Sequence, residues 1–166
     1  MTTMWRSLAI VILIGAACGP QATHGRRVSA SFHCKDRQAA YTARNTIGFV
    51  AQGVRLTCTG DVPTVTSFSI LNEGEPEKTN TGTISVDDWD KAWSAVEAAG
   101  WRSLQGCGSG KPDAKEPSYE FVIGNDMLDP RTITCSGREL PFPYDALRNG
   151  LDEAAATVPT PGMPTE

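Results

Sequence analysis

The sequence predicts an α+β domain: a small antiparallel sheet or meander covered by one central helix, followed by a hairpin and a short C-terminal helix. Three observations carry that expectation. Ser85–Trp101, SVDDWDKAWSAVEAAGW, repeats apolar side chains at helical spacing. Val54–Thr59 and Tyr119–Ile123 alternate at strand spacing. Four of the five cysteines, Cys34, Cys58, Cys107 and Cys135, are spread through both halves of the chain, as cross-links of a small domain would be.

Taken in order, the chain begins with Met1–Cys18, MTTMWRSLAIVILIGAAC, in which Arg6 precedes the apolar run Leu8–Ala17. That run is too short to span a bilayer and reads as the core of a signal peptide covering residues 1–17. Gly15, Ala16 and Ala17 are small residues directly before Cys18. This stretch resembles the lipobox of small bacterial envelope lipoproteins, with Gly15 standing where an aliphatic side chain is usual. The resemblance implies lipid on Cys18, a membrane anchor and an envelope location. Gly15 and Ala17 also satisfy an ordinary small-x-small cleavage site, so plain secretion is the alternative. Polar Gly19–Ala30 reads as a flexible tether, making residues 18–30 anchor and spacer. The folded domain is expected over 31–156.

Assigning Cys18 to lipid leaves an even number of thiols, suited to two bridges in an oxidising compartment. Four cysteines allow three pairings. Local pairing, Cys34–Cys58 and Cys107–Cys135, is expected because each loop then stays within one structural half.

Ser31–Cys34 is a candidate short strand. Lys35–Arg44 is ambiguous, since Ala39, Ala40 and Ala43 permit a helix while Tyr41 and Thr42 suit a strand. Asn45–Val50 and Val54–Thr59 read as strands about a turn at Ala51–Gly53, with Val54, Leu56 and Cys58 on the packed side. Gly60–Asp61 begins a turn, and Thr64–Leu71 reads as a strand bearing Phe68 and Ile70. Asn72–Asn80, NEGEPEKTN, is an acidic loop, and Thr81–Ser85 a short strand leading into the helix.

In the helix, Ser85 is the N-cap and Asp88 the partner of a shortened capping box. Asp87, Asp88 and Asp90 favour the positive end of the helix dipole. Val86, Trp89, Trp93 and Val96, with Ala92 and Ala99, form one apolar face. Gly100 can end the helix in the left-handed conformation, and Trp101 can fold back over it. Gly108–Pro117 is a breaker-rich loop. Tyr119, Phe121 and Ile123 define the packed side of a strand, Gly124–Pro130 a connection, and Arg131–Cys135 the returning strand. Pro143 suits the first turn of a last helix with the stripe Tyr144, Leu147 and Leu151, weakened by Gly150. Proline-rich 157–166 is expected to be disordered.

Chemistry is harder to find. Lysine and arginine total 15 against 19 acidic residues, a net charge of −4, with no concentrated basic run, which argues against nucleic acid as a partner. No nucleotide loop, HExxH or GxSxG is present. His24 lies in the tether, and His33 adjoins a bridging cysteine. Glu73, Glu75 and Glu77 lack the ordered ligand series of a calcium loop. Asp126 and Asp129 read as turn residues. No catalytic, cofactor or metal residue is therefore assigned. The expected function is a membrane-tethered extracytoplasmic binding or accessory module with an envelope or extracellular protein partner. An exposed apolar patch including Tyr119 or Trp101 would favour it. An inhibitor of an extracellular enzyme, presenting Gly108–Pro117 and Gly124–Pro130, is the alternative, and a small hydrolase a further one.

Overall fold

A computed structural model describes residues 34, 36–108, 115–125 and 128–159. The signal peptide, Cys18, the tether, the Ser31–His33 part of the first strand candidate, and Asp126 lie outside these residues. Within them the chain runs β1 (Gln38–Thr46), β2 (Phe49–Thr59), β3 (Val62–Ile70), β4 (Lys78–Thr83), α1 (Val86–Ala98), β5 (Ser118–Asn125), β6 (Leu128–Ser136) and α2 (Tyr144–Ala156). The strands form one antiparallel sheet in the order β4-β3-β2-β1-β5-β6. The fold is thus α+β, with a meander, a central helix, a hairpin and a C-terminal helix.

The ambiguous segment before Asn45 is the strand β1, at the middle of the sheet. Ala39, Tyr41 and Ala43 point into the core while Ala40, Thr42 and Arg44 point away. The first turn sits earlier than expected, at Ile47–Gly48, with Thr46 paired to Phe49 and Gly48 at φ +82°. Ala51–Gly53 instead lies inside β2. Gly53 is there because a Cβ would lie 2.0 Å from the Tyr41 carbonyl oxygen and 2.9 Å from the Phe68 ring. That is a close-approach glycine within a strand, not a turn glycine. The Gly60–Asp61 turn stands where expected, with both residues at positive φ (58° and 64°), as a two-residue primed hairpin requires.

β4 begins at Lys78, three residues before the expected Thr81, because Lys78–Asn80 pairs with Ser67–Ser69. Glu77, at the end of the acidic loop, holds Arg55 through paired hydrogen bonds of 2.8 and 2.9 Å, and Arg55 in turn lies 4.1 Å over the Phe68 ring.

α1 starts as its cap predicts: the Asp88 N–H donates to Ser85 Oγ at 3.1 Å, and Ser85 Oγ donates to Asp88 Oδ2 at 2.6 Å. The buried face is Trp89, Ala92, Trp93 and Val96. Val86 departs from expectation. It is 42 % exposed, being the first helical residue, in a turn held by the cap and not by packing. Gly100, at φ +66°, donates its N–H to the Glu97 carbonyl at 2.9 Å. Trp101 then folds back and is fully buried. Arg131 of β6 reaches this helix end, donating to the carbonyls of Trp101, Arg102 and Leu104. These carbonyls belong to the turn after α1, so Arg131 ties that turn to β6.

β5 and β6 are a tighter hairpin than the Gly124–Pro130 connection predicted. The ladder continues to Asn125 opposite Leu128, across an irregularity between Ile123 and Asn125. Gly124 allows this, since a Cβ there would meet Pro130 at 3.1 Å.

Both helices share the sheet face formed by Ala39, Tyr41, Val54, Leu56, Val65, Phe121, Ile123 and Ile133, and one continuous core results. Gly150 does not interrupt α2. A Cβ at Gly150 would lie 2.6 Å from the Ala95 Cβ, so the glycine sets the closest approach of the two helices. Beyond α2, Val158 is buried against Gly82 of β4, two residues past the expected end of the domain.

Candidate functional site

The cysteines pair as Cys34–Cys58 and Cys107–Cys135, the local pairing expected from the sequence. Two bridges mark a chain that folds in an oxidising, extracytoplasmic compartment. Lipidation at Cys18 concerns a residue outside the described set. Neither aromatic candidate gives an exposed patch: Trp101 is fully buried and Tyr119 is 5 % exposed. Among the described residues no group of three or more His, Cys, Asp or Glu is arranged to hold a metal ion. Glu75, from the calcium idea, instead accepts from Asn72 Nδ2 at 2.6 Å, and Glu77 is paired with Arg55.

The site that sequence reasoning missed lies at the end of the sheet near the β1–β2 turn. Register aligns Gln52, Ala43, Tyr119 and Cys135 in one row across β2, β1, β5 and β6. These residues share the core face, and Tyr41 stands two positions further along β1. α2 brings Asp152 to Tyr41 and Arg148 to the space beside this row. The result is a recess of about 520 Å³, lined by residues of β1, β2 and β5 with Ile47, Lys115, Pro117, Arg138 and Arg148. Its rim is tied by Asn45 Nδ2 donating to the Glu116 carbonyl at 3.4 Å, and by Gly137 N–H donating to the Pro117 carbonyl at 2.9 Å. A second recess, about 490 Å³, borders Cys58 and carries Asp36, Arg37 and Asp129.

Under the first recess, the Tyr41 hydroxyl donates to Asp152 Oδ1 at 2.5 Å, and Arg148 Nε donates to Asp152 Oδ2 at 3.2 Å. Burial raises the Tyr41 phenol well above its ordinary value of 10.0, and the hydrogen bond to Asp152 and that carboxylate's charge raise it further. The nearby Arg148 only partly opposes this. For Arg148, burial disfavours the charge, but Asp152, Tyr41 and Tyr119 outweigh it and keep the guanidinium protonated. The recess therefore offers one fixed cation, two exposed ones, a protonated phenol, amides and apolar walls. Among the described residues lining it there is no serine, cysteine or histidine.

This network has a pH signature. A phenol whose folded value is raised adds stability that is fully present below the unfolded value near 10.0 and is lost as pH rises through the folded value. Tyr41→Phe should cost about 1–2 kcal/mol at neutral pH, because Asp152 loses a donor while partly buried. It should also flatten the alkaline loss of stability. Urea unfolding at neutral pH and above pH 10 measures both, and an alkaline limb equally steep in the variant would contradict the assignment.

The signal available in the sequence was thin: Arg148 and Asp152 are four apart on a predicted helix, and Tyr41 and Tyr119 sit at inward strand positions, where a phenol needs a polar partner. No family model matches the chain, and no curated protein sequence matches it.

Proposed function

We propose that the chain is a binding module of the bacterial envelope, held at the membrane by lipid on Cys18 with Gly19–Ala30 as its tether. It receives a small ligand in the recess beside Tyr41 and Tyr119, on its own or on behalf of an envelope protein. The observation that carries this reading is the recess itself. Its volume of about 520 Å³ falls within the range of small-molecule sites, and its polar groups converge on apolar walls. Two of the donors there, Tyr41 and Arg148, are oriented by Asp152, as binding requires. The disulfides support an extracytoplasmic address, and the lipobox-like Gly15–Cys18 supports the anchor.

Two measurements test the two parts. Intact-mass analysis of the mature protein should find diacylglycerol on Cys18, and an unmodified start elsewhere would remove the anchor. Native mass spectrometry after exposure to an envelope small-molecule extract should show a retained mass in the wild type. Gln52→Trp, which fills the recess from its wall, should lose it. A wild-type protein that retains nothing, or a variant that retains the same mass, would defeat the recess as the binding site.

A further inference from the structure

We propose that the recess binds a small dianion, a phosphomonoester or dicarboxylate carried on an apolar body; this rests on the binding-module reading above and names its ligand class. Charge is the first argument. The chain as a whole is acidic, at −4, yet Lys115, Arg138 and Arg148 all line this one recess. Among the described residues, no carboxylate lines it. Asp152 lies beneath, where both its oxygens are engaged, by Tyr41 and by Arg148 Nε. Three cations against that single carboxylate leave two positive charges facing a concave space.

Exposed lysines and arginines are ordinary on a protein surface, and three of them near one another would mean little alone. The difference here is that one cation is fixed. Arg148 has its Nε edge on Asp152 and also interacts with the Tyr41 hydroxyl, so its guanidinium is held in place while it lines the cavity. A guanidinium held in this way presents its fork at low entropic cost, and the fork matches the spacing of phosphate or carboxylate oxygens. Tyr41 contributes by holding Asp152 from its other side, which fixes the carboxylate that fixes the arginine.

The walls specify the rest of the ligand. Ala43, Ile47 and Pro117 are apolar, and the rings of Tyr41 and Tyr119 add aromatic surface. A bare inorganic ion would leave this surface wet, whereas a small ring or short aliphatic body would cover it. The cations and the apolar wall therefore select opposite ends of one ligand.

The test is isothermal titration of the full chain in detergent with phenyl phosphate, with phthalate, and with benzyl alcohol as the neutral control. Saturable binding of phenyl phosphate, phthalate or both, without binding of benzyl alcohol, is expected, and which anion binds tells the two sources apart. Lys115→Gln and Arg138→Gln alter exposed side chains and should each weaken binding by about three- to tenfold. Raised salt should weaken it as well. No saturable binding of either anion overturns the proposal, as does binding unchanged when Lys115→Gln and Arg138→Gln are combined in one chain. Benzyl alcohol binding as tightly as phenyl phosphate also overturns the dianion, while leaving the recess a binding site; a negative native-mass result would remove that broader reading independently.

Discussion

Trp93→Ala is expected to destabilise the domain by about 3–5 kcal/mol, the range for truncating a large buried aromatic. Trp93 is only 7 % exposed, and its ring lies parallel to that of Trp89, with centroids 6.0 Å apart and planes 4° apart. Arg37, just before β1, lies 5.6 Å over the Trp93 ring, so the side chain is covered by polar as well as apolar neighbours. Three contributions are lost together: the transferred apolar area, the aromatic contact with Trp89 and the cation–π contact. Alanine keeps the helix propensity, so the loss reports packing and not the backbone. Denaturant unfolding gives the magnitude, and near-ultraviolet circular dichroism should lose the signal of the stacked indoles. An unchanged midpoint would show that Trp93 does not belong to the core.

The same helix shows why part of the fold was legible. Ser85, Asp88 and Gly100 act through local backbone chemistry, so their roles can be read without knowing the neighbours. The alternation of Tyr119, Phe121 and Ile123 was equally direct, because all three are buried. β1 was ambiguous for a physical reason. Its inward residues include Ala39 and Ala43, whose small size gives little hydrophobic contrast, and its place at the sheet centre comes from pairing with β2 and β5. Gly53 misled for a different reason. Glycine is a common turn residue, but here it clears space for a ring on β3, a contact fifteen positions away.

The recess was hidden because its chemistry is assembled from across the chain. Tyr41, Lys115, Arg138 and Arg148 belong to no motif, and their charges lie far apart in sequence. Only the sheet register places Gln52, Ala43 and Tyr119 in one row, and only α2 docking brings Asp152 to Tyr41. A fold-level reading can find the strands and the helix, but the polar network appears only when their faces are combined.

The bridge at the end of that row connects stability to the site. Replacing both Cys107 and Cys135 with alanine should cost about 3–4 kcal/mol, from restoring freedom to a loop of 28 residues in the unfolded chain. Folded-state consequences follow from the register. Cys135 is opposite Tyr119, and Cys107 exchanges backbone hydrogen bonds with β6 through Thr134 and Ser136. Those bonds, together with Arg131 on the carbonyls after α1, hold the segment that follows the helix against the edge strand. Removing the bridge should therefore loosen the Cys107 and β6 amides more than those of β2 and β3, which pair on the other side of the sheet. Hydrogen exchange of the double variant, under conditions where it stays folded, resolves this pattern. Uniform loss of protection in all strands would mean that the bridge acts only through the unfolded state. A local loss confined to β6 and Tyr119 would show that the cross-link also holds Tyr119, which lines the recess, in place.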